Sequence, residues 1–388
     1  MLDYSKLLSE TAMEIKPSGI RKFFDLLEGR KDAISLTVGQ PDFVTPWHIR
    51  VAAIESLENG KTYYTSNSGT LELREEISSY MKRRFNLNYS SSDEIIVTVG
   101  GSEAIDIAMR AVINPGDEVI IPQPAFVCYG PICSLAGGVP VYINTKEENR
   151  FKLTADELRS VITPKTKLLV LPYPNNPTGA IMTREDLSAI AEVLRGTNIM
   201  VLSDEIYCEL TYGRNHTSIA ELDGMRERTI IASGFSKTYA MTGWRLGYTL
   251  APREITKQML KIHQYAIMCA PTTSQYAAVE AMRNGDSDVE MMRAEYNRRR
   301  RYIVGGLRGI GISCFDPEGA FYVYPNISGY GMTSEKFCER LLNEEGVAIV
   351  PGTAFGDCGE GFARISYAYS VEHIAKALDR IERFVNKL

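Results

Sequence analysis

Lys237 lies in the run Ser233-Gly-Phe-Ser-Lys-Thr-Tyr-Ala-Met-Thr-Gly-Trp-Arg-Leu-Gly247, eight residues before Arg245. Small neighbours leave room for a bulky group to approach the amine. Arg245 adds a planar, permanently charged fork suited to an anion such as phosphate. An amine beside an anchored phosphate points to a Schiff base with pyridoxal phosphate (PLP). Ser236-Lys237-Thr238 also looks like the end of a nucleotide-binding P-loop. That reading fails, because Ser precedes the lysine where Gly is required and no glycine stands at the earlier spacing. The plain alternative is a turn lysine without a role.

Other residues bear on the choice. Gly100-Gly101-Ser102 closes one apolar run and opens a helical one, so free amides and the helix dipole there suit an anion. Ser102 also suits an ordinary helix N-cap. Asp204, in Ser203-Asp-Glu-Ile-Tyr207, directly follows a buried-looking strand, and ligands of open α/β sheets bind at strand carboxyl ends. A carboxylate there keeps a pyridine nitrogen protonated, although a loop carboxylate capping a helix is the bland reading. Tyr207, in the same turn, and Asn176, in Asn175-Asn-Pro-Thr-Gly179, are candidates for the ring's phenolic oxygen. Asn before Pro is also a common turn former. Phe126 is a candidate to stack on the ring, against the commoner fate of plain core.

These residues need a scaffold. Short Val/Ile/Leu runs (Glu94 to Val99, Glu118 to Pro122, Lys167 to Pro172, Ile199 to Ser203, Thr229 to Ala232) alternate with helical patterns such as Ser102 to Ile113. That texture predicts an α/β fold whose mostly parallel sheet is covered on both faces. A helix is expected over roughly 288–307, followed by strand, helix, strand, helix to the C-terminus. The expected division is a large cofactor-binding domain over 50–287 and a small domain over 288–388, which residues 1–49 join. The chain has 388 residues, 44% hydrophobic and 23% charged, with a formal net charge of −5. This balance gives no support to nucleic-acid or anionic-membrane binding. Arg298-Arg-Arg-Arg301 reads as a solvated or interdomain face. Seven scattered cysteines make neither a disulfide framework nor a metal site, and four isolated histidines add none. No apolar core of a signal peptide stands in residues 1–17 and no run approaches a membrane span, so a reduced, cytoplasmic setting is expected.

The stretch Gly234 to Gly247 resembles the PLP-attachment signature of class I aminotransferases. Pro174-Asn-Asn-Pro-Thr-Gly179, Asp204-Glu-Ile-Tyr207, Tyr63-Tyr64 and Ala363-Arg-Ile-Ser-Tyr367 follow in that family's order, and the likeness covers essentially the whole chain. The resemblance implies the PLP-dependent transferase fold type I, with a seven-stranded sheet and a smaller α+β domain. It implies that Lys237 attaches the cofactor and then moves the proton from the substrate Cα. Asp204 would pair with the pyridine nitrogen, Asn176 and Tyr207 would meet the phenolic oxygen, and Phe126 would stack on the ring. Gly101, Ser102 and Arg245 would hold the phosphate. Arg364 would clamp the substrate α-carboxylate, aided by the Gly39 amide and Asn176. Tyr64 would reach the phosphate of a partner subunit, making a homodimer necessary for the complete site.

The pattern departs in places. Gly234 stands where many relatives carry a serine that binds phosphate, which makes Ser236 the candidate in its stead. His263 to Tyr276 holds no arginine or lysine, and Ser102 stands where one bacterial subgroup has lysine, so those routes to aspartate specificity are absent. Ser18-Gly-Ile-Arg-Lys22, Gly39-Gln-Pro-Asp42, Lys261-Ile-His-Gln-Tyr265 and Gly331-Met-Thr-Ser334 resemble bacterial N-acetyl-L,L-diaminopimelate aminotransferase. The expected activity moves an amino group between an L-amino acid (acylated diaminopimelate, aspartate or aromatic) and a 2-oxo acid such as 2-oxoglutarate. A PLP-dependent β-eliminating C–S lyase is the alternative, with a PLP-binding regulator module ranked last.

Overall fold

The computed structural model describes residues 2–17, 19–20, 30 and 32–388. Its strands are β1 (Ile34–Ser35), β2 (Ile95–Thr98), β3 (Glu118–Gln123), β4 (Val139–Asn144), β5 (Thr166–Leu171) and β6 (Met200–Asp204). They continue with β7 (Thr229–Gly234), β8 (Gly247–Leu250), β9 (Tyr322–Val323), β10 (Val347–Ala348), β11 (Val350–Pro351) and β12 (Ala363–Ser366). Seven of them form one sheet in the order β2-β8-β7-β6-β5-β3-β4. All neighbours run parallel except β8, which is antiparallel to both β2 and β7.

Continuous apolar runs suit this sheet because both faces are covered. Leu168 and Val170 of β5 join a buried cluster with Ile105 and Ala108 from the helix Gly100–Val112. Their neighbours Leu169 and Leu171 point the other way, into a cluster with Leu187 and Ile190 from the helix Arg184–Leu194. The two-residue alternation of strand side chains thus builds two cores from one run. Thr183 caps the second helix, its hydroxyl accepting from Asp186 N–H while the Asp186 carboxylate accepts from Thr183 N–H.

β4 and β8 carry no clear strand pattern in the sequence. Edge strand β4 leaves Val139 and Tyr142 exposed and carries Pro140 within it. Strand β8 is four residues long and begins on Gly247. The rest of the chain builds smaller sheets, β1 paired with β10 and β11-β12-β9, packed against the helices Asp286–Gly309, Ser334–Glu345 and Val371–Val385. Ile34 and Leu36 pack in one cluster with Val347, Ile374 and Phe384, so the start and end of the chain share a core. Of the Arg298–Arg301 cluster, Arg299 turns inward. Its guanidinium lies against both the Phe43 and Tyr296 rings and donates to Asp42 at 2.8 Å.

Strand β8 brings three backbones together. Gly247 stands opposite Gly234 of β7 and Thr98 of β2. A Cβ on Gly247 would lie 2.6 Å from Gly100 C and 2.8 Å from Gly101 N, and one on Gly234 would lie 2.9 Å from Gly247 Cα. Those contacts are with backbone, which cannot step aside. Gly247→Ala should therefore destabilise the fold by about 1–3 kcal/mol in urea unfolding. Gly243→Ala, where an added Cβ meets nothing within 4 Å, should change it little. Equal stabilities for the two variants would contradict this packing.

Candidate active site

A cavity of about 300 Å³ opens at the carboxyl ends of β6 and β7. Lys237 enters it from the short helix Phe235–Thr238 directly after β7, and Nζ donates to the Gly39 carbonyl at 2.6 Å. Burial lowers the Lys237 pKa to about 8, with further lowering from the Arg364 and Arg245 guanidiniums and an opposing pull from Asp204. The result is an amine that sheds its proton far more readily than an exposed lysine.

On one side of the amine the cavity wall is an anion-ready turn. Gly100, at φ +77°, presses its backbone against Arg245, since a Cβ there would lie 2.7 Å from Nη2. Gly101 and Ser102 follow in the first turn of their helix, where amides lack intrahelical partners. Ser236 also lines the cavity, whereas the Ser233 hydroxyl turns away and donates to the Glu205 carbonyl at 3.3 Å.

Asp204 ends β6 and is 7% exposed. Burial raises its pKa; a 2.6 Å bond from the Tyr129 hydroxyl to Oδ2 and the Ile206 N–H at Oδ1 work the other way. The Tyr207 hydroxyl lies 2.7 Å from that of Tyr322. Phe126 supplies an aromatic wall, edge-on to Tyr129 with ring centroids 6.3 Å apart.

Arg364, on β12, is buried between the Tyr322 and Phe355 rings, its guanidinium carbon 4.6 and 4.9 Å from their centroids. Nη1 donates to Asn176 Oδ1 at 3.0 Å and Nη2 to the Thr37 carbonyl. Its Nε is buried without a hydrogen-bond partner among the described residues. Asn175 serves the turn instead, its Oδ1 accepting from the Thr178 N–H and hydroxyl.

Eleven of the residues singled out from the sequence therefore share one cavity, and Tyr64 does not. It is 77% exposed, on a face where Thr272 holds the Tyr63 carbonyl. Among the described residues of the segments likened to the diaminopimelate enzyme, Gly39 and Ile20 line the cavity. Ser18, Arg21 and Lys22 lie outside the described residues, and Thr333 caps the helix Ser334–Glu345. Sequence reasoning missed Tyr129 and Tyr322. The first sits three residues after Phe126, but nothing in the spacing pairs it with Asp204, and the second was visible only as a strand residue. Among the described residues no cluster of His, Cys, Asp and Glu suits a metal ion, and no helix is long and apolar enough to cross a membrane.

PLP fits this donor set. Its carbonyl would meet an amine of lowered proton affinity, its phosphate a glycine turn braced by a guanidinium, and its pyridine nitrogen a buried carboxylate. The unpartnered Arg364 Nε leaves a donor for a carboxylate.

Comparison with known proteins agrees with the geometry. The model of the family Aminotransferase class I and II matches residues 31–381. The chain is 48% identical over 381 residues to the Bacillus subtilis protein named Probable N-acetyl-LL-diaminopimelate aminotransferase, covering 98% of this chain and 96% of that one. It is 44% identical over 383 residues to Aromatic-amino-acid aminotransferase 2 of Thermococcus litoralis, covering 98% of both. The solved aspartate aminotransferase of Thermus thermophilus with maleate superposes with TM-score 0.92 at 39% identity, over 97% of this chain and 99% of that one. These names favour amino transfer over β-elimination. The chain belongs to the class I and II aminotransferase family, PLP-dependent enzymes that move an amino group between an amino acid and a 2-oxo acid.

Proposed function

We propose that Lys237 carries the cofactor and moves the substrate proton, and that the preferred donor is a long acylated L-amino acid of the N-acetyl-L,L-diaminopimelate kind, with 2-oxoglutarate as acceptor. The observation that carries the first part is the Lys237 amine, its pKa lowered to about 8 inside a cavity that also holds Asp204, Arg245 and Arg364. PLP, when bound, supplies an electron-accepting ring that stabilises negative charge at the substrate Cα. Asp204 keeps a proton on the ring nitrogen, and Tyr129 holds the carboxylate in place for that. Tyr207 and Asn176 are assigned to the phenolic oxygen, and Gly101, Ser102, Ser236 and Arg245 to the phosphate. Phe126 fixes the ring plane. Arg364 orients the substrate by its α-carboxylate, and the Gly39 amide is assigned to the same group. Lys237 Nζ then takes the Cα proton as general base and returns it two bonds further along, across the substrate nitrogen.

The side-chain preference rests on the relative's name and on the cavity wall. Among the described residues, its basic side chains are Lys237, Arg245 and Arg364, each assigned above to another group. We also propose a homodimer in which Tyr64 completes the partner's phosphate site. Tyr63, Tyr64, Tyr265 and Met268 are exposed on segments joined by Thr272 to Tyr63 and Asn67 to Met268 bonds. The shared core of Ile34 and Leu36 with the C-terminal elements supports a large domain over 50–287 and a small one formed by 1–49 and 288–388. Seven free cysteines favour a cytoplasmic setting.

Lys237→Ala should lower single-turnover amino transfer on the order of 10³-fold or more, and borohydride should no longer fix PLP to the chain. Full half-reactions in that variant would end the assignment. For the cofactor-free enzyme, capture of PLP needs the neutral amine. Its rate should rise with pH and level off above about 8; Arg364→Leu removes a nearby positive charge and should shift the inflection upward. A profile still rising at the ordinary lysine value would contradict the lowered pKa. In a donor panel, acylated diaminopimelate should exceed aspartate and phenylalanine in kcat/KM by at least about tenfold, or about 1.4 kcal/mol. Aspartate leading the panel would overturn the side-chain preference and leave the Lys237 role intact.

A further inference from the structure

We propose that His263 is a positioning residue for the phosphate-binding turn, acting through Glu103 on the backbone of Val99 and Gly100. This rests on the reading that Gly101, Ser102 and Arg245 take the cofactor phosphate.

Glu103 sits in the first turn of the helix Gly100–Val112, and its two oxygens are separately engaged. Oε2 reaches back to accept from the Val99 N–H, and Oε1 lies 2.6 Å from His263 Nδ1. An ionised carboxylate only accepts, so the ring donates through Nδ1. His263 comes from the neighbouring helix Arg253–Ala266, and its side chain is fully buried. Its Nε2 has no hydrogen-bond partner among the described residues. Burying that nitrogen unpaired costs stability, and a histidine is a poor choice for filling an apolar space between helices.

What the histidine secures is a turn that glycine alone enters readily. Gly100 holds φ +77°, and a Cβ there would strike Arg245 Nη2. A glycine pair has many other conformations open to it. The Glu103 bond to Val99 N–H pins the residue just before the pair. A carboxylate near a phosphate site is electrostatically adverse unless donors or positive charge offset it. His263 fixes the carboxylate, and the carboxylate fixes the turn. Neither side chain lines the cavity, so both act through backbone.

The test compares PLP with pyridoxal, which lacks the phosphate, as ligands of the resolved full-length enzyme, followed by absorbance titration. His263→Leu and Glu103→Gln should each weaken PLP about tenfold while leaving pyridoxal within about twofold. Met259→Ala, a buried change in the same helix as His263, should lower the melting temperature without altering the PLP-to-pyridoxal ratio. Equal losses for both ligands, an unchanged ratio in both variants, or a matching fall in Met259→Ala would overturn the proposal. If the unaltered enzyme showed no preference for PLP over pyridoxal, the phosphate assignment itself would fall with it. A preserved preference with unaffected variants would sink only the role of His263.

Discussion

Three backbone segments meet at Gly100, Gly234 and Gly247, and the chemistry depends on that close approach. Strand β8 runs antiparallel between β2 and β7, so its first residue stands between the ends of two parallel strands. With a side chain at Gly247 the strands could not close to the observed separation. Because they do, the helix that starts after β2 and the lysine that follows β7 come to share one cavity. Arg245, two residues before Gly247, is delivered to the same place by the same strand. The antiparallel reversal in an otherwise parallel sheet thus does more than fill a position.

Electrostatics then turns proximity into reactivity. Two guanidiniums and burial work together to lower the proton affinity of Lys237, and Asp204 opposes them. The effects stay distinct because the groups are tied down separately. Tyr129 and the Ile206 amide hold Asp204, while Asn176 and the Thr37 carbonyl hold Arg364. Tyr322 links the two sides, with its hydroxyl on Tyr207 and its ring beneath Arg364. A Cβ on Gly39 would also lie 2.5 Å from that hydroxyl, so a larger residue there would push the Tyr322 hydroxyl aside. Buried polar groups arranged this way hold one geometry because each alternative leaves a donor or acceptor unpaired.

Much of this was legible in the sequence. The central strands announce themselves as unbroken Val/Ile/Leu runs, and Lys237, Asp204 and Arg364 are conspicuous because their local contexts are unlike those of surface charges. What escaped was either short or paired over long distances. β4 is an exposed edge with a proline in it, and β8 carries four residues inside a motif that reads as chemistry rather than strand. Tyr129 lies 75 positions from Asp204, and His263 lies 160 positions from Glu103. No local period encodes such pairs.

The sequence by itself pointed to the fold class and the cofactor chemistry, because the first depends on periodicities of two and 3.6 residues and the second on the side-chain types within a motif. The tertiary structure decided which of two serines faces the cavity, which of two adjacent asparagines meets Arg364, and how far the lysine's proton affinity falls. It also left Tyr64 on an exposed face. The physical reason is that orientation, burial and Coulombic neighbours are properties of distance. Distance between residues far apart in the chain exists only once the backbone has closed.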